Sequence, residues 1–159
     1  MSQPLSTIGS MQFDYDERKL TELIVHVAGR LADDRAGGST KLNKVLFFAD
    51  FTHVRRHRAP ITGADYQHLA HGPAPRRLLP IRARLIAAGE AELVEEDFLG
   101  RSQHRLVARR PADLSVFTEA ELETIDAVLE DLAGMTAGQV SALSHEEAAW
   151  KHTSDGESI

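Results

Sequence analysis

The sequence predicts a mainly helical α+β domain: a compact helical core carrying one small antiparallel β-hairpin. Three observations carry this. Apolar residues recur at helical spacing in two long stretches, around 16–35 and 41–57. Two short strand-like runs flank Leu99-Gly100-Arg101. Three hydroxyl residues in the last third of the chain each stand three positions ahead of a Glu or Gln, the spacing of a helix-starting capping box.

Length and composition bound the class. At 159 residues, 42% hydrophobic and 26% charged, the chain fits one folded domain. We expect a disordered tail over 1–13, a single domain over 14–152 and a short tail over 153–159. The chain has no cysteine, which excludes disulfides and Cys-based zinc or redox sites. The opening MSQPLSTIGSMQFDYDERK has no basic segment followed by an apolar core, so no secretory signal is expected. No apolar run has the length of a membrane span, and a cytoplasmic location is expected.

The first helix is expected from about Asp16 to Arg35. Leu20, Leu23, Ile24, Val27, Ala28 and Leu31 form one stripe, with Asp14 or Asp16 as N-cap and Gly37-Gly38 as the stop. The second, Lys41 to about His57, follows the capping pair Ser39-Thr40. It is apolar on more than one face through Leu42, Val45, Leu46, Phe47, Phe48, Ala49 and Phe51, which places it at the centre of the domain. Residues 59–75 read as turns, with a short extended piece over Tyr66–Leu69. A third helix is expected over about Arg76–Ala88, burying Leu78, Leu79, Leu85 and Ile86, and either starting or kinking at Pro80. Ala91–Asp97 and Ser102–Arg109 form the hairpin. Glu92, Glu95 and Glu96 on its first strand face Arg105 and Arg109 on its second, so the pair can neutralise itself. The capping boxes Thr118/Glu121, Thr136/Gln139 and Ser144/Glu147 start three final helices, the first burying Leu122, Ile125, Leu129 and Leu132.

The net charge of −6 is unevenly spread. Residues 40–89 hold nine Lys or Arg against Asp50 and Asp65, for +7; the other nine bases and twenty-two acids leave −13. Such polarity fits either an acidic segment docked on a basic one or two faces for two partners. Two or three helices followed by a charged hairpin also outline a winged helix, with the basic segment 40–89 able to supply phosphate contacts, so a DNA-binding regulator is the alternative reading. An acidic total and a hairpin as acidic as it is basic weigh against it.

The remaining motifs carry little chemistry. His53 and His57 share a helix face, with Asp50, His68 and His71 near in sequence, which is one route to a metal site. Against it, His57 lies within Arg55-Arg56-His57-Arg58, which repels a cation, and we expect no metal and no cofactor. His145-Glu146 lacks the second His of a zinc-protease helix, since the next is His152. No nucleophile elbow or phosphate-cradling loop occurs, and we expect no enzyme.

Three motifs occur in order: Thr40-Lys41-Leu42-Asn43-Lys44-Val45-Leu46-Phe47-Phe48-Ala49-Asp50, then Pro60-Ile61-Thr62-Gly63-Ala64-Asp65-Tyr66, then His71-Gly72-Pro73-Ala74-Pro75. Leu143-Ser144-His145-Glu146 with Trp150 follows near the end. In these the chain resembles the Panacea antitoxin-domain family, which includes SocA-like proteolytic-adaptor antitoxins, over about residues 16–157. The resemblance implies a small, mainly helical protein of bacteria or their phages. It implies a toxin, encoded by a neighbouring gene, that is neutralised by direct binding or handed to a protease. It brings no catalytic residues.

The expected partner-binding residues are Asp65, Tyr66, His71, Gly72, Pro73 and Arg76, with Trp150 closing over them. Loops on a rigid scaffold concentrate binding residues, and Tyr and Arg are frequent interface anchors. The competing expectation is that Gly63, Gly72, Pro73 and Pro75 only shape a loop, and that Tyr66, His71 and Trp150 are packing residues.

Overall fold

The computed structural model describes residues 14–69 and 72–145. His71, Glu147, Trp150 and both expected tails lie outside them. Among the described residues five α-helices run in chain order: α1 (Glu17–Arg30), α2 (Ser39–His57), α3 (Leu78–Ala87), α4 (Glu119–Leu132) and α5 (Ala137–His145). Two antiparallel hairpins stand between them, β1 (Tyr66–Leu69) with β2 (Gly72–Pro75), and β3 (Ala91–Phe98) with β4 (Arg101–Ala108). The domain is mainly helical α+β, as expected, with a second small hairpin in addition.

α2 is the centre. It touches α1, α4, α5, β2 and β4. Leu42, Val45, Leu46, Phe47, Phe48 and Ala49 are all buried in one core with Leu20, Leu23, Ile24 and Val27 of α1 and Ile125, Val128 and Leu129 of α4. A helix apolar on several faces finds cover only when neighbours close on it from several sides.

Several boundaries shift for local reasons. α1 starts at its Asp16 cap, whose carboxylate accepts from Lys19 N, but ends at Arg30, before the two glycines. Residues 31–37 turn back instead, pinned by the buried Arg105 of β4. Its guanidinium donates to the carbonyls of Leu31 (2.8 Å), Asp34 (2.6 Å) and Gly37 (3.1 Å). α2 is capped by Gly38, with no side-chain bond, so Ser39 and Thr40 lie inside the helix. α3 begins at Leu78, which puts Pro80 in the first turn, where its missing N–H had no helical partner to lose. Leu78, Ile81 and Leu85 form its buried edge, whereas Leu79 and Ile86 are exposed rather than buried. Ser144 is no N-cap: it lies within α5 and its hydroxyl donates to the Ser141 carbonyl.

The β3–β4 hairpin turns on Leu99 and Gly100, both at positive φ (52° and 77°), the two-residue geometry that suits strand twist. Glu96 pairs with Arg105 and Glu92 with Arg109, so the strands neutralise one another as the sequence predicts. The acidic α4 does not dock on the basic 40–89 segment through the ion pairs seen among the described residues. Its Glu121 and Asp126 pair with Lys19 and Arg30 of α1.

Candidate functional site

A charged side chain inside an apolar helix needs a partner, because burying it unpaired is costly. α2 carries four buried polar side chains, and each ties down a different segment. Lys41 donates to Asp34 Oδ2 and to the Met135 carbonyl, both at 2.7 Å. Lys44 donates to the Pro73 carbonyl at 3.0 Å. Asp50 holds residues 61–66. His53 Nδ1 meets Thr124 Oγ1 of α4 at 2.8 Å.

Asp50 is the hub. Its Oδ1 accepts from Ile61 N (2.8 Å) and Thr62 N (2.7 Å); its Oδ2 accepts from Thr62 Oγ1 (2.5 Å) and Tyr66 Oη (2.7 Å). Tyr66 Oη also lies 2.9 Å from the Leu46 carbonyl, and its ring packs edge-on to Phe47 and Phe51. Burial pushes the Asp50 carboxyl above its ordinary range, against the downward pull of the Thr62, Tyr66 and Ile61 hydrogen bonds. Burial, then the Asp50 charge, pushes the Tyr66 phenol far up. The loop is shaped to reach this carboxylate. Arg58 caps α2 in the left-handed conformation, and Gly63 (φ 72°) passes so close to Asp14 that a Cβ would stand 2.2 Å from its carbonyl oxygen.

The third motif covers Lys44. Gly72 adopts φ 116°, and a Cβ there would lie 2.3 Å from Lys44 Cε. Arg76 N donates to the Asp65 carbonyl at the open end of the β1–β2 ladder. With strict alternation, Pro73 and Pro75, opposite His68 and Tyr66, then occupy positions that owe no bond to β1. The free side of β2 faces α2, and there the Pro73 carbonyl accepts the hydrogen bond from Lys44 Nζ. Burial holds Lys44 down at about 8.

The sequence-predicted site residues therefore divide. Tyr66 is 1% exposed, and Gly72 and Pro73 are buried. They support the surface from beneath. Asp65 and Arg76 lie on it, joined by an ion pair of 3.0 Å, with Arg76 also donating to Gln67 Oε1 at 3.2 Å. The grouping of Asp50 with His53 and His57 does not form: Asp50 faces the 61–66 loop, while His53 turns to Thr124 and stacks on His57 at 4.4 Å. Burial, then the neighbouring His57 charge, lowers the His53 pKa.

From the sequence Asp50 reads as a metal-ligand candidate and Lys44 as part of the basic middle segment, and both as members of the first motif. Their position inside an all-round apolar helix was the available signal that both are interior tethers. The three motifs, separated along the chain, thus meet beneath one hairpin, where Asp50 of α2 holds the second and Lys44 of α2 holds the third.

No curated protein and no solved structure matches the chain. The family model of SocA-like antitoxins with a Panacea domain matches residues 42–151. That stretch contains most of α2, with Lys44, Asp50 and His53, and both hairpins, and the chain belongs to this SocA-like, Panacea-domain antitoxin family.

Proposed function

We propose that this chain neutralises a toxin encoded by a neighbouring gene, by binding it directly in the cytoplasm and without catalysis. The observation that carries the reading is the family match over residues 42–151. The geometry supports it: the motif residues build a stiff platform, and Asp65 and Arg76 stand on its exposed rim. A preorganised surface loses little entropy on association. His71 and Trp150 belong to the same proposed contact region, and delivery of the bound toxin to a protease is a further step of the same reading.

The winged-helix alternative draws less support. Lys41 and Lys44, two of the nine bases in the middle segment, are buried, and Arg77 and Arg84 both hold Glu17. Arg105 of the hairpin points into the domain.

The test is co-expression. The neighbouring reading frame should arrest growth alone, grow normally with this chain, and co-purify with it. Growth arrest that this chain does not relieve in any neighbour refutes the reading, as does a set of neighbours none of which is toxic. Adaptor action is read separately, as a shorter toxin half-life in protease-proficient cells when the chain is present.

A further inference from the structure

α3 is apolar on both sides. Its ten residues, LLPIRARLIA, contain two arginines and otherwise only apolar side chains. Such a helix is normally enclosed. α3 is not: it lies at the edge of the fold and packs chiefly on β3. Leu78, Ile81 and Leu85 meet the core, while Leu79 is 60% and Ile86 40% exposed. Leu79, Ala83 and Ile86 are spaced i, i+4, i+7, so they form one continuous outward stripe. Nothing in the fold requires this stripe, because the inward edge already anchors the helix.

Its borders are positive. No acidic residue occurs between Asp65 and Glu90, while Arg76, Arg77, Arg82 and Arg84 all fall there. The side chain of Arg82, on one border, makes no hydrogen bond or ion pair with a described residue. On the other border Arg77 and Arg84 share a single carboxylate, Glu17, at 2.8 and 3.0 Å, leaving an excess positive charge. The stripe also continues from Arg76, the exposed rim residue two positions before α3 begins.

We propose that this outward face of α3 is where the toxin docks, and that the toxin presents an apolar helical or strand face bordered by carboxylates. The proposal rests on the antitoxin reading and names its surface. An acidic border on the occupant follows from complementarity with Arg82 on one side and, on the other, with two arginines that share the one carboxylate of Glu17. A basic and apolar helix also suits a lipid surface. Here the stripe is short and offers no aromatic residue to the interface, which favours a protein.

The experiment uses the full chain and the co-encoded protein that it rescues. Leu79→Glu with Ile86→Glu should weaken their binding at least about 30-fold, the size of an interface hot spot, and abolish rescue. The melting temperature should stay within about 2 °C, because both positions are exposed. Arg82→Glu, which leaves the apolar stripe intact, should weaken binding about tenfold and flatten its dependence on salt. Unaltered binding and rescue by both variants would overturn the α3 surface while leaving the antitoxin reading standing. If the wild-type chain rescues no neighbour, both fall together. Two further outcomes reassign the face and overturn the toxin as its occupant. One is self-association of the wild type that the double variant abolishes. The other is cosedimentation with phosphatidylcholine–phosphatidylglycerol vesicles that it abolishes.

Discussion

Tyr66→Phe isolates the buried network by removing one oxygen. The ring keeps its packing, with centroids 5.7 Å from Phe47 and 5.9 Å from Phe51. What is lost is the donor to Asp50 Oδ2 at 2.7 Å, in a site with no solvent to replace it. A hydrogen bond to an ionised group contributes about 1.5–3 kcal/mol and one to a neutral group about 0.5–1.5 kcal/mol. The variant should therefore lose about 2 kcal/mol at neutral pH, a fall in Tm of about 4–8 °C for a chain of this size. The loss should depend on pH in a defined direction. Burial raises the folded pKa of Asp50 above its ordinary 3.8. The contribution of such a group is fully present below the unfolded value and is lost as pH rises through the folded one. Tyr66→Phe takes away one of the bonds that hold the folded value down, so it deepens that loss on the alkaline side. The deficit relative to wild type should shrink to about 1 kcal/mol as pH falls toward 3.8, where a neutral carboxyl remains in the site. Urea denaturation of both proteins across this range measures it. A variant as stable as wild type at neutral pH, or a deficit that grows on acidification, would refute the reasoning.

Lys44 offers the opposite sign. Its folded pKa, about 8, lies below the ordinary 10.5, so the wild type should gain stability as pH rises between these values, and Lys44→Met should not; chemical denaturation across that window reads it. Gly72→Ala must hold a left-handed backbone and displace the Lys44 side chain, and should cost at least about 2 kcal/mol, seen as a Tm more than about 4 °C lower. The hydrogen bonds from Arg77 and then Arg84 lower the Glu17 carboxyl to about 2. A carboxyl NMR titration should find that midpoint in the wild type and the ordinary carboxylate range once both arginines are replaced by Ala.

Much of the fold was legible in the chain. Helix periodicity in α1, α2 and α4, the capping boxes of Thr118 and Thr136, and the hairpin about Leu99-Gly100 are each set by residues within a turn or two of one another. Local spacing is enough to specify them, because the interactions that form them are local. The density of Gly, Pro and aromatic residues also marked 60–77 as special. What periodicity left open was which side chains meet. Asp50 reaches Thr62 and Tyr66, Lys44 reaches Pro73 29 positions on, and Arg105 reaches back to Leu31 across 74. A Lys or Asp has the same letter on a surface as in a core, and only the packing of distant segments around α2 determines that its charges point inward. The same packing put Tyr66 beneath the surface and Leu79 upon it. β2 escaped notice because its prolines argue against a strand, until the register places them where no ladder bond is owed.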